Sequence, residues 1–138
     1  MFDVILACGS RDAPVEDWEF TVGNTIAKNM VLGGLLIHGD ARGIDRMSEG
    51  ATEFLDRRVE RYPAKWDEHK KAAGPIRNAQ MLSRLLQLKD EGKSVAVFAF
   101  HNDIQSSMGT LDMASRTRRA EGVPLFVVNS AGKAKMYE

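Results

Sequence analysis

The sequence predicts an α/β fold: a single Rossmann-like three-layer domain on a mostly parallel five-stranded sheet. Two observations carry that prediction. Short apolar runs alternate with segments of helical period along the 138 residues, in the order βαβαβαβαβ. The runs are also near-continuous in apolar residues rather than alternating apolar with polar, which marks strands buried on both faces of a parallel sheet. Parallel neighbours joined through helices imply right-handed crossovers.

Residues 2–8 (FDVILAC) read as the first strand and end in Gly9-Ser10. Residues 35–38 (LLIH) follow Gly33-Gly34 and end in Gly39-Asp40. Residues 59–62 form a weaker, partly charged strand that stops at Pro63. Residues 94–100 (SVAVFAF) are the longest apolar run, and residues 124–128 (PLFVV) the last. Between them, Val15, Trp18, Val22, Ile26 and Met30 recur at helical spacing, with Pro14 in the first turn. Ile44, Met47, Ala51, Phe54 and Leu55 make a second stripe, and Ile76, Ala79, Leu82, Leu85 and Leu86 a third. Leu111, Ala114 and Arg118 begin a fourth, which stops at Glu121-Gly122. Residues 1–129 are expected to form the domain, with 130–138 a loose or edge-docked tail.

Composition narrows the function. Lys and Arg number 19, as do Asp and Glu, so the formal net charge is zero. That disfavours a protein whose main work is to coat nucleic acid or an anionic membrane. No apolar run approaches the length of a membrane helix. The opening residues lack a basic, then apolar, leader pattern. The single cysteine, Cys8, fits a reducing compartment, so a cytoplasmic location is expected. The neutral total covers an asymmetry: residues 1–69 carry 8 basic and 13 acidic side chains, residues 70–138 carry 11 and 6. The split reads either as solvated faces or as an anion-binding second half.

In open parallel sheets, ligands bind beyond the carboxyl ends of the strands. After the first run comes Gly9-Ser10-Arg11-Asp12, and after the second His38-Gly39-Asp40-Ala41-Arg42-Gly43-Ile44-Asp45. The fourth is followed by His101-Asn102-Asp103, then Ser106-Ser107-Met108-Gly109-Thr110. All three turns contain Gly and open into a helix, where small residues admit a ligand and free N–H groups attract phosphate. A phosphate-bearing ligand is therefore expected. In Ala72-Ala73-Gly74-Pro75-Ile76-Arg77-Asn78 the Gly-Pro pair reads as a turn, with Arg77 in the first turn of the helix that follows. A cation opposes the macrodipole there, which suggests a task for Arg77.

HGDARGID, the Trp66…His69 stretch, AAGPIRNAQM and SSMGTLDM, in that order, resemble the YspA-like branch of the SLOG superfamily. Many members of that branch are encoded by phages and plasmids, and the superfamily includes the LONELY GUY phosphoribohydrolases and the DNA-processing protein DprA. The resemblance spans residues 3–128 and implies a SLOG-type pocket for a nucleotide or nucleotide-derived ligand. It implies that Gly9, Ser10 and Arg11 lie near phosphate or ribose. Gly39, Asp40, Gly43 and Asp45 would form the second turn, with Gly39 allowing close approach. Asp45 would bond a ribose hydroxyl or the loop's own amides. Arg77, Asn78 and Met81 match an R-N-x-x-M pattern similar to the R-K-x-x-M of the LONELY GUY enzymes, whose Arg contacts substrate. Ser107, Gly109 and Thr110 match S-x-G-T, the counterpart of a phosphate loop.

The departures are specific. Where the phosphoribohydrolases carry a catalytic Glu, this chain has Met113, and Asp112, one residue earlier, is turned by about 100° on a helix. The glycine pair of their phosphate loop is replaced by Ser106-Ser107. Cleavage of an N-glycosidic bond needs charge stabilisation near the oxocarbenium ion; Asp45 or Asp40 could supply it from another loop, and Arg77 and Asp45 are the candidate catalytic residues. Three readings follow: a nucleotide-binding sensor or processing protein, an N-glycosidic hydrolase, or a DprA-like nucleic-acid module.

The remaining candidates have plainer readings. The spacing of His38, His69 and His101 matches no metal motif, and neither a metal nor a cofactor is expected. His38 reads as a structural loop residue and His101 as a pocket-lining one. Cys8 reads as a small buried hydrophobe. Trp66 reads as a plug over the sheet edge or as a stacking surface at the pocket rim. Arg116, Arg118 and Arg119 suit a helix C-terminus. Homodimers are common in the superfamily that the chain resembles; the sequence leaves the oligomeric state open, with Leu82, Leu85 and Leu86 either core or interface.

Overall fold

Side chains on the first strand point alternately into two different cores, and this sets the layering. The computed structural model describes residues 1–137. In β1 (Phe2–Gly9), Val4, Leu6 and Cys8 join one buried cluster while Ile5 and Ala7 join the other. A strand covered on both faces needs helices above and below it. α1 (Val15–Asn29) and α2 (Ile44–Ala51) cover one face through Trp18, Val22, Ile26 and Ile44. α4 (Ala73–Asp90) and α5 (Met108–Arg119) cover the other through Met81, Leu82, Leu85, Met113 and Ala114. The remaining elements are β2 (Met30–His38), β3 (Arg58–Arg61), the one-turn α3 (Trp66–His69), β4 (Val95–Phe100), β5 (Leu125–Val128) and β6 (Ala134–Tyr137).

The strands run in the order β3-β2-β1-β4-β5-β6. β1 pairs in parallel with both β2 and β4, and the chain winds outward from it in opposite directions. The sheet thus has six strands rather than five. The sixth comes from the expected tail: β6 pairs antiparallel with β5, Leu125 opposite Tyr137 and Val128 opposite Ala134. The tail is edge-docked. Arg118 lies 5.4 Å over the Tyr137 ring and helps seat it.

Some boundaries and faces shift. Pro14 is the N-cap of α1 rather than a first-turn residue, and Val15 is exposed. Met30 opens β2 instead of closing α1, and the pairing of β2 with β1 breaks between Met30 and Leu35. Gly74-Pro75 lies inside the first turn of α4, where a proline costs no hydrogen bond. Arg77 is accordingly the fifth helical residue, beyond the first turn. Ile76 is exposed, and the buried stripe is Asn78, Met81, Leu82, Leu85 and Leu88. Leu82 and Leu85 are core, and Leu86 packs partly buried against them. The buried face of α5 is Thr110, Met113, Ala114 and Thr117, with Arg118 outside it.

Candidate functional site

A cleft of about 490 Å³ opens where the chain reverses its winding, beyond the carboxyl ends of β1 and β4. That volume falls within the range of small-molecule sites. Its walls are the turn after β1, the α2 start, the middle of α4 and the α5 start. Of the sequence-predicted residues, Gly9, Ser10, Arg11, Asp45, Arg77, Asn78, Met81, Ser107, Gly109 and Thr110 line it. Gly39, Asp40 and Gly43 do not.

Those three build the wall from behind. Gly43 has φ +78° and caps α2. A Cβ there would lie 2.5 Å from the Ser10 carbonyl oxygen, and the Ile44 N–H donates to that same oxygen. The turns after β1 and β2 are thus clasped together, which only glycine permits. Gly39 is approached closely, but by Arg77 rather than by a ligand: a Cβ at Gly39 would lie 2.8 Å from Arg77 Cζ. Asp40 has φ +55° and its N–H donates to His38 Nδ1 across 2.9 Å. Because Nδ1 accepts, Nε2 carries the proton and donates to Glu49 Oε1 at 2.7 Å. Arg61 grips the same carboxylate with two hydrogen bonds. His38 is fully buried in this network and is structural.

Arg77 is the most constrained cation in the cleft. Its Nη1 donates to the Gly39 carbonyl at 2.8 Å and its Nε to Asn78 Oδ1 at 3.0 Å. Among the described residues it makes no salt bridge, unlike Arg42, Arg61, Arg84 and Arg116. Burial pulls its guanidinium below the ordinary value, opposed by the Asp45 carboxylate, and nearby Arg11 adds a like charge in the direction of burial. Arginine nonetheless stays protonated. Asn78 is buried and fully used: its Nδ2 donates to the Gly109 carbonyl at 3.2 Å and to Asp112 Oδ2 at 3.0 Å. It is a strut that ties Arg77 to the start of α5.

The α5 start supplies donors. Ser107 caps it, its hydroxyl accepting from the Thr110 N–H at 3.4 Å and donating to Thr110 Oγ1 at 3.1 Å. The Ser107 proton is used internally, while the Thr110 hydroxyl proton is left. First-turn amides, including that of Gly109, point outward from the helix end. Such an end favours an anion.

Carboxyl groups near the cleft are already engaged. Asp45 is buried, and its Oδ2 accepts from the Ala41 N–H at 3.2 Å. It therefore holds its own loop. Burial pushes its carboxyl above the ordinary value, opposed by the Ala41 amide and by the charge of Arg77. Asp12 pairs with Arg42 at 2.7 Å. Met113 is fully buried in the core, and Asp112 is bound by Asn78 and Arg116. No α5 carboxylate lines the cleft. Burial pushes the Cys8 thiol well above its ordinary range, so it is no nucleophile at neutral pH.

Sequence reasoning missed Cys8, Asp12, Ala41 and Ser106 as lining residues. Cys8 and Asp12 directly flank the residues chosen, so strand direction held the signal. His101 does line the cleft, and its Nδ1 accepts from the Asp103 N–H at 2.9 Å. Arg11 reaches out of the cleft over Trp66, its Cζ 5.4 Å from the ring centroid. Trp66 is 45% exposed, so it is no plug.

Fold and cleft together define a Rossmann-like α/β protein with a polar cleft at its topological switch point, lined by two arginines and two aspartates. In comparisons with protein-family models, curated proteins and solved structures, nothing matches the chain. No helix among the described residues is long and apolar enough to cross a membrane.

Proposed function

We propose that this protein binds a nucleotide or nucleotide-derived small molecule, phosphate first, in the cleft beyond β1 and β4, and that it is a SLOG-type protein of the YspA-like kind. The observation that carries the reading is Arg77. A half-buried guanidinium fixed by a backbone carbonyl and an amide, with no carboxylate in salt-bridge contact and only the more distant Asp45 charge to offset it, suits an added anion. The start of α5 adds backbone donors beside it, and Arg11 adds a second positive charge. The carboxylates that line the cleft, Asp45 and Asp12, each already accept a hydrogen bond, from Ala41 and Arg42, and Asp112 outside it holds Asn78 and Arg116, which weighs against the hydrolase reading. Binding is therefore preferred over turnover.

A thermal-shift panel tests this: nucleoside mono-, di- and triphosphates, ADP-ribose, NAD and cyclic nucleotides. A ligand at about 100 times its dissociation constant stabilises by about 2.7 kcal/mol, or roughly 5–11 °C at this size. A selective shift that disappears in Arg77→Ala is expected. A flat panel, or a shift unchanged by Arg77→Ala, overturns the proposal.

A further inference from the structure

The two tryptophans have opposite surroundings. Trp18 is 5% exposed in the core, whereas Trp66 is 45% exposed on the one-turn helix α3. The Trp66 ring is backed by α4 at Gly74, where even a Cβ would stand 3.5 Å from Cη2. Its visible partner is the Arg11 guanidinium, 5.4 Å from the ring centroid.

Arg11 belongs to two places at once. It lines the cleft and it covers the Trp66 ring. Among the described residues it has no carboxylate within salt-bridge distance and no side-chain hydrogen bond, although Arg42, close by in the next loop, has both from Asp12. A cation–π contact at an exposed site is weak. A planar ligand ring can therefore replace or extend it at little cost. Both tryptophan and guanidinium are good stacking surfaces for a nucleobase. The charge on Arg11 is also felt at Arg77, so Arg11 links the Trp66 surface, which lies outside the cleft lining, to the anion-seeking guanidinium within it.

We infer that Trp66 and Arg11 form the seat for the ligand's base, with its phosphate held by Arg77 and the α5 start. This rests on the nucleotide reading above and deepens it: the ligand class becomes one with a planar aromatic ring, a mononucleotide rather than a sugar phosphate. Trp66 would then determine selectivity for the base, while Arg77 would anchor any phosphate.

The experiment is calorimetric titration of the full chain with AMP, GMP, CMP and UMP, each against ribose 5-phosphate, in the parent protein, Trp66→Ala and Trp66→Phe. At least one nucleotide is expected to bind about tenfold or more tightly than ribose 5-phosphate, the scale of one base stack. Trp66→Ala should abolish that advantage and leave ribose 5-phosphate affinity unchanged, and Trp66→Phe should keep most of it. Retained ribose 5-phosphate binding also shows that each variant is folded. Equal affinities in the parent protein, an advantage that survives Trp66→Ala, or equal weakening of both ligands overturns the inference and leaves the cleft reading standing. Failure of every nucleotide and of ribose 5-phosphate to bind overturns both.

Discussion

Arg77 and Gly39 are fitted to each other: the guanidinium donates to the Gly39 carbonyl across 2.8 Å, in a space that a side chain at residue 39 would fill. The loop after β2 and the helix α4 meet at this contact, and it holds the cleft's half-buried cation in place. Gly39→Ala is therefore expected to displace the guanidinium. It should destabilise the fold by about 1–3 kcal/mol through overpacking and weaken nucleotide binding in the same direction as Arg77→Ala. Urea denaturation and titration calorimetry measure the two effects. Full affinity in Gly39→Ala would mean that the position of Arg77 does not matter.

Asn78 links that cation to the α5 start. Asn78→Ala leaves Arg77 Nε and the Gly109 carbonyl without their partner. A loss of about 1–3 kcal/mol in stability is expected, the usual cost of stranding buried polar groups. Backbone amide exchange should quicken at the start of α5, whereas exchange in α1 should not change.

Behind the cleft wall, Arg61, helped by His38, holds the Glu49 carboxyl down to about 2, from an ordinary 4.5. A carboxyl depressed on folding contributes stability above its unfolded value and loses it as pH falls through the folded one. Glu49→Gln is thus expected to cost about 1–2 kcal/mol at neutral pH, a figure reduced for solvent screening because Arg61 is half exposed. The gap to the parent protein should close as pH falls from 4.5 towards 2. Denaturation midpoints across that interval check it, and a gap independent of pH would contradict it.

Met113 is fully buried, and on the SLOG reading proposed above it stands where the phosphoribohydrolases carry a catalytic Glu. Met113→Glu would place a carboxylate in the core formed by α4, α5 and the sheet. It should destabilise by more than about 3 kcal/mol, because a buried unpaired charge is costly. It should not release free base from a nucleoside monophosphate. Met113→Leu, close in volume, should cost less than about 1.5 kcal/mol. Chemical denaturation, with chromatography of incubated nucleotide, reads both outcomes.

Much of this architecture is legible in the sequence because strands buried on both faces leave apolar runs, as in residues 94–100. The cleft is legible for the same reason: once strand direction is known, the residues after each strand are the candidates. β6 is not legible, since Lys135 and the exposed Met136 give it no apolar run, and only its pairing with β5 makes it a strand. The face of α5 is misread because Thr117 looks polar, yet its hydroxyl donates to the Met113 carbonyl at 2.8 Å and is buried at no polar cost. The role of Gly39 is only partly legible, because a close approach can be read from glycine but its partner cannot: here a side chain of α4, 38 residues away, fills the space.

The most direct test of the central claim is a ¹⁵N-correlated NMR titration of the protein with the nucleotide that gives the largest thermal shift. The account predicts amide shifts clustered at Gly9, Arg11, Gly109 and Thr110, with the Arg77 side-chain Nε–H moving among them, and their loss in Arg77→Ala. Shifts confined to the α1–α2 surface or to the β6 edge, or the same shifts with Arg77 removed, would contradict it.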